Sequence, residues 1–190
     1  MPRPHPAPRP SVPMIYYTTF SSPIGRIGMA ATPRGLCRIS LNATSPPAFQ
    51  KTLRRDYRCS AVRWDRHFTD LVAWMRAYFS GRPVRFKAKI ELKEGTPFQH
   101  KVWRSLLRIP YGQTRSYQDV ARDIGHPNSF RAVGGACGNN PIALIVPCHR
   151  VINANGNLGG FTGGLRLKQL LLRIEKKRSP RTNKKRITHD

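Results

Sequence analysis

The apolar run Leu144, Ile145 and Val146 ends at Pro147, and this break constrains the chain more than any other stretch. Proline has no backbone N–H to give to a sheet ladder, so a strand that reaches it should stop and present the next side chain at its exposed end. That side chain is Cys148, followed by His149, Arg150, Val151 and Ile152. A thiol beside an imidazole and a guanidinium sits in positive surroundings, which lower its pKa and raise its thiolate fraction. A cysteine taken at random is a small buried hydrophobe. Here the break, the basic neighbours and the glycine-rich sequence downstream favour a nucleophile.

Charge narrows the partners. The 190 residues carry 34 Lys and Arg against 9 Asp and Glu, a formal +25. Solubility needs no such one-sided excess, whereas a polyanion is attracted by it, and nucleic acid is the leading candidate. Hydrophobic content of 39% suffices for one ordinary domain or two small ones. The cysteines at 37, 59, 137 and 148 lack the paired close spacing of zinc sites or disulfide frameworks, so they read as reduced thiols of an intracellular protein, with no metal. No apolar run approaches the roughly 20 residues of a membrane span, and no signal peptide is evident.

Residues 1–13 alternate Pro with Arg, His and Ala and should be disordered. Tyr16 to Phe20, Arg26 to Ala31 and Gly35 to Leu41 read as three antiparallel strands, with Cys37 as core packing on the third. Pro46 and Pro47 should end the sheet, Ala48 to Arg55 reads as a short helix, and Cys59 to Trp64 as a further strand. Phe68, Leu71, Val72, Met75 and Phe79 have the spacing of an amphipathic helix, and Phe86, Ala88, Ile90 and Leu92 alternate before Gly95, which reads as a linker between two lobes. The first lobe, residues 14–92, holds no constellation of nucleophile, base and acid, so its role is expected to be structural.

The second lobe, residues 96–177, opens on Thr96 as N-cap and Pro97 at the first helical position, with a helix from Phe98 to Arg108. Ser116 and Asp119 form a capping box for a helix over Tyr117 to Ile124, and Ser129 to Cys137 forms the next. Two short helices joined by a Gly-containing turn outline a helix-turn-helix. The helix at 131–138 carries three glycines, each costing roughly 1 kcal/mol relative to alanine. Its thin surface fits either a neighbouring helix or a nucleic-acid groove, and the charge favours the groove. Arg131 could then enter the stack where a base has left. Asn157 to Gly164 reads as a mobile glycine-rich loop, and a last helix runs from Leu165 to about Lys177 with Glu175 as its one acid. Glu175 fits either a surface salt bridge or a partner for His149. Residues 178–190 form a basic tail, either a source of phosphate contacts or a nuclear-targeting signal.

Taken together, Arg131-Ala-Val-Gly-Gly-Ala, Asn140-Pro141, Ile-Val-Pro-Cys148-His149-Arg150-Val-Ile and Gly163-Gly164-Leu165 with Lys168 and Glu175 closely resemble the O6-alkylguanine-DNA alkyltransferase family. The resemblance covers Met14 to Lys177, weakly in the first lobe and strongly from Thr96. It implies an α/β (α+β) protein: a small N-terminal antiparallel-sheet lobe with helices, then a mostly helical, winged helix-turn-helix-like DNA-binding lobe. It makes Cys148 the alkyl acceptor, His149 its base through a water, Glu175 the orienter of the imidazole and Asn140 the holder of the turn. Tyr117 would rotate the phosphate and donate a hydrogen bond to the leaving purine, and Arg131 would fill the gap left by the flipped nucleotide. Ser116, Tyr117, Ala132, Gly134 and Arg150 would join Arg131 at the DNA, and Val151, Phe161 and Thr162 would line the substrate pocket. Phe161 and Thr162 stand where Tyr and Ser are common, which bears on pocket width rather than on the chemistry.

An unperturbed thiol is only about 3% ionised at pH 7, so sulfur activation is a minor contribution beside alignment and protonation of the leaving base. The thioether product has no evident route back, which predicts one turnover per molecule and no cofactor. The expected partner is double-stranded DNA containing O6-alkylguanine, with O4-alkylthymine as a second substrate. The chain should act as a monomer, without a membrane, in the cytoplasm of a prokaryote or the nucleus of a eukaryote. The competing readings are a DNA-binding regulator, a non-enzymatic lesion sensor of the same fold, against which Cys148 argues, and a cysteine hydrolase, which lacks an evident oxyanion arrangement.

Overall fold

The computed structural model describes residues 14–41 and 43–176. The Pro-rich start and the basic tail, with Lys177, lie outside the described residues.

Strand β1 (Met14–Ser22) turns at Pro23 and Ile24 into β2 (Gly25–Thr32), and β3 (Gly35–Ser40) follows. These three are antiparallel, with Thr18 opposite Met29 and Met29 opposite Ile39. Helix α1 (Pro46–Tyr57) then crosses over to β4 (Ser60–Arg63), which joins β1 in parallel, so the sheet order is β3-β2-β1-β4 and the sheet is mixed. Pro46 and Pro47 begin α1 but do not end the sheet as expected, because β4 rejoins it after the helix. Ser45 caps the helix by accepting from Ala48 N, and a missing N–H costs nothing in a first turn.

Side-chain alternation gives the sheet two apolar faces. Ile15, Tyr17, Ala30 and Cys37 pack with Phe49 and Leu53 of α1. Ile27, Met29, Leu36 and Ile39 face the opposite way, onto α2 (Thr69–Phe79) and a core that continues through Val102, Trp103, Val133, Ile142 and Leu171. The alternation at 86–92 yields no strand. Ile90 alone bridges Leu36, with Leu36 N donating to Lys89 O at 3.0 Å and Glu91 N to Leu36 O at 2.8 Å. Gly95 has φ +111°, and a Cβ there would lie 2.6 Å from Trp103 Cη2, so this position admits glycine only.

Helix α3 (Pro97–Leu106) begins with a full Thr96/Gln99 capping box, and α4 (Tyr117–Asp123) with the Ser116/Asp119 box. Helix α5 (Phe130–Gly138) is tied to α3 by Trp103 Nε1 donating to Ala136 O at 2.9 Å. The described residues end in α6 (Leu165–Lys176).

The stretch 144–146 departs from its expected form. It is a tight turn rather than a strand: Val146 N donates to Ile142 O at 2.9 Å, and Leu144 takes φ +73°. Leu144, Ile145 and Val146 are apolar because they are buried. A short apolar run carries no periodicity that separates a strand from a buried turn. Pro147 breaks the backbone as its chemistry requires, but it leads into a 3-10 turn, Cys148–Arg150. Strand β6 (Val151–Ile152) follows and pairs in parallel with β5 (Arg115–Ser116). The segment before the turn is also tied to the first lobe, since Ile39 N donates to Pro141 O at 2.8 Å. Among the described residues no helix is long and apolar enough to cross a membrane, and no cluster of His, Cys, Asp and Glu could hold a metal ion.

Candidate active site

Cys148 is not displayed at an exposed strand end; it is 5% exposed. Its sulfur forms part of the wall of two adjoining cavities. One, of about 520 Å³, is lined by Tyr117, Arg131, Gly134, Cys137, Phe161 and Thr162. The other, of about 480 Å³, runs past Asn140, Phe161 and Trp103 toward β3. Burial pushes the thiol pKa up, and the Asn140 amide and Lys168 pull it back only in part. The expected lowering by His149 and Arg150 is therefore corrected: adjacency in sequence does not place their charges on the sulfur.

Asn140 holds this corner. Its Nδ2 donates to Val146 O at 2.7 Å and to Cys148 Sγ at 3.1 Å, while Oδ1 accepts from Ile142 N at 3.0 Å. One side chain thus closes the turn and touches the nucleophile.

His149 and Glu175 are fully buried together, with Nε2 2.7 Å from Oε1, which excludes the surface salt bridge considered for Glu175. Burial holds the imidazole pKa below its ordinary value, so it is neutral at pH 7. The carboxylate goes the other way. Although burial alone would raise it, hydrogen bonds and charge from His149 and Arg150 bring it down to about 2. Against an anionic acceptor Nε2 must be the protonated nitrogen, and Nδ1 is left as a lone pair with no hydrogen-bond partner among the described residues.

Arg150 is turned away from the DNA-facing surface expected for it. Its Nε and Nη2 bind Glu175 at 2.9 and 3.0 Å and Nη1 binds Ile109 O at 2.7 Å. A buried carboxylate demands such a partner. Gly112 N, at 3.0 Å, is a further donor to Glu175.

The remaining sequence-derived residues surround the cavity mouth. Tyr117 lies over Gly159, with its hydroxyl 3.3 Å from Gly160 O, and burial raises its pKa to about 12, so it stays a proton donor. Arg131 and Ala132 are exposed at the start of α5, with Arg131 5.6 Å from the Phe130 ring. Around Gly135 a Cβ would meet nothing within 4 Å, and Gly134 would meet only Tyr117 at 3.9 Å. Among the described residues no neighbouring helix lies close enough to require glycine at these two positions. Ser116 spends its hydroxyl on the α4 cap. Thr162 Oγ1 donates to Gly138 O at 3.0 Å, so its proton is already committed. Val151 is buried, and its carbonyl accepts from Lys168 Nζ at 2.6 Å.

Two buried residues at the site carry no role in the sequence reading. Lys168 has its ammonium on the carbonyls of Val151, Leu158 and Gly160, so the glycine-rich loop is tethered from beneath. Its burial within an otherwise apolar helix stripe at Leu167 and Leu171 was the available signal. Tyr78 of α2 reaches Glu175 from the first lobe, its hydroxyl donating to Oε1 at 2.8 Å. Its position three residues after Met75 puts it on the core face, where a tyrosine hydroxyl needs a partner.

A mixed-sheet lobe joined to a helix-turn-helix lobe, with a buried cysteine in the cavity beneath the second helix, defines the class of cysteine alkyl acceptors built on a DNA-binding scaffold. The chain belongs to the 6-O-methylguanine DNA methyltransferase family, whose DNA-binding domain matches residues 97–177 and whose ribonuclease-like domain matches residues 15–92. It is 43% identical over 170 residues to the methylated-DNA–protein-cysteine methyltransferase of Mycobacterium tuberculosis, covering 88% of this chain and 96% of that one. The Methanosarcina acetivorans enzyme of that name is 43% identical over 162 residues, 85% and 98% of the two chains. The crystal structure of Mycobacterium tuberculosis OGT in complex with DNA matches with a TM-score of 0.74 at 42% identity, over 87% of this chain and 96% of that one.

Proposed function

We propose that this protein repairs DNA by direct reversal, moving the alkyl group from O6 of guanine, and from O4 of thymine, onto Cys148. The observation that carries this reading is the position of the Cys148 thiol in a base-sized cavity roofed by α5, where Gly135 has open space among the described residues and Gly134 faces only Tyr117.

The target carbon lies within a stacked duplex, so the nucleotide must be extruded, at a few kcal/mol. Arg131 takes its place in the stack and Tyr117 steers the phosphate. In the cavity the base stacks on Phe161. The Cys148 proton passes through a water to His149 Nδ1, the sulfur forms a bond to the alkyl carbon, and the bond from that carbon to O6 breaks. Tyr117 supplies a hydrogen bond to the departing guanine. Glu175 stabilises the imidazolium that forms, while Arg150 and Gly112 keep the carboxylate ionised. The thioether is permanent, and each molecule acts once. A prokaryotic host would use the protein in the cytoplasm, and a eukaryotic one in the nucleus.

The test is to mix the protein with duplex DNA carrying one O6-methylguanine and map its peptides by mass spectrometry. One methyl group on Cys148, absent in Cys148→Ala, is the expected result. Methylation elsewhere, or persisting in Cys148→Ala, would refute the mechanism, and binding of the lesion without transfer would favour a sensor.

A further inference from the structure

We infer that Tyr78, a residue of the first lobe, is a positioning residue for the alkyl-transfer chemistry, because its buried hydroxyl occupies the Glu175 oxygen that orients His149. Its role in alkyl transfer rests on the proposed function, whereas its hold on Glu175 and His149 does not.

Tyr78 is 1% exposed and sits between Trp74, stacked at 5.5 Å, and Tyr111, edge-on at 6.0 Å. Its hydroxyl is 2.8 Å from Glu175 Oε1 and 3.3 Å from His149 Nε2. Burial and the Glu175 charge keep the phenol protonated, so Tyr78 is the donor to the carboxylate. That bond does two things. It holds Oε1 in the plane in which it receives His149 Nε2–H, and it draws charge away from an oxygen that would otherwise be shared by the imidazole and Arg150 Nη2. The groups facing His149 and its partners are Glu175 and Lys168 of α6, Arg150 of the 3-10 turn, Tyr78 of α2 and Tyr111 of the segment after α3. Of these, Tyr78 is the one supplied by the first lobe, which corrects the expectation that this lobe is only a support.

Removing the hydroxyl leaves Oε1 more basic, which favours the imidazolium and raises the pKa of His149. The experiment is a ¹⁵N titration of the His149 imidazole in the full-length wild type and in Tyr78→Phe, with single-turnover methyl transfer measured across the same pH range. Wild type should show Nε2 protonated and Nδ1 bare. In Tyr78→Phe the titration and the acid limb of the rate profile should both move to higher pH, and transfer at pH 7 should slow about tenfold with DNA affinity unchanged. Should Tyr78→Phe fail to fold, 3-fluorotyrosine at position 78 keeps the ring and strengthens the donor, and the titration should move to lower pH. A His149 titration identical in wild type and variant, or a wild type protonated on Nδ1, overturns the inference. A shifted titration in a protein whose wild type transfers no methyl group would sink the proposed function and leave the positioning role standing.

Discussion

Glu175 collects hydrogen bonds from His149, Arg150, Gly112 and Tyr78, and these donors make it a pH sensor of stability. Its folded pKa, about 2, lies below the ordinary carboxylate value, so its contribution is present above about pH 4.5 and is lost as pH falls toward 2. The depressed His149 adds loss in the same direction from higher pH, because the unfolded imidazole takes up a proton below about 6.5 while the buried one resists. Thermal unfolding from pH 8 to 3 should therefore show a first decline below neutrality, absent in His149→Gln, and a second below pH 4.5 that is reduced in Glu175→Gln. Asn140→Ala should cost about 1–3 kcal/mol in urea denaturation, because it strands Ile142 N and leaves Val146 O with Cys148 N as its remaining donor, and it should slow transfer by loosening the thiol. Cys148 and His149 stood out in the sequence itself, whereas Asn140 and Glu175 were singled out by the family resemblance, and the structure brings the four side chains together. The placement of Arg150 and Tyr78 was not legible: the first faces inward although it sits in a basic run, and the second is 97 residues from the carboxylate it touches.

Among the elements, α5 breaks the ordinary rules of helix composition. Gly135 has open space where a side chain would be, so Gly135→Ala should raise stability by about 1 kcal/mol in chemical denaturation. The same change should weaken binding to duplex DNA, read by fluorescence anisotropy. If affinity is unchanged, the helix does not lie in the groove. The caps of α3 and α4 were readable because Thr96/Gln99 and Ser116/Asp119 are local signals with a local cause. The turn at 142–146 was not, since what bends it is burial against the rest of the molecule and the reach of Asn140, neither of which has a periodicity. The parallel placement of β4 was equally hidden, because strand direction is decided by the crossover through α1.

For the whole molecule, +25 is the dominant long-range property. If about six phosphates are neutralised, affinity for duplex DNA should fall about a thousandfold between 50 and 200 mM salt, with sequence making little difference. A flat salt response in a filter-binding assay would remove DNA as the partner of the basic surface. The two matched segments, 15–92 and 97–177, read as separable in sequence, yet Ile27, Met75 and Tyr78 share one core with Trp103, Val133 and Leu171. A calorimetric scan should accordingly show one transition rather than two. That shared core acquires a meaning peculiar to a single-use protein. An ordinary catalyst with half its copies unfolded still clears its substrate, only later. Here the count of folded copies is the count of lesions that can be erased, so a cavity opened at Met75, which takes no part in the transfer, subtracts from a cell's reserve as directly as the loss of Cys148 itself.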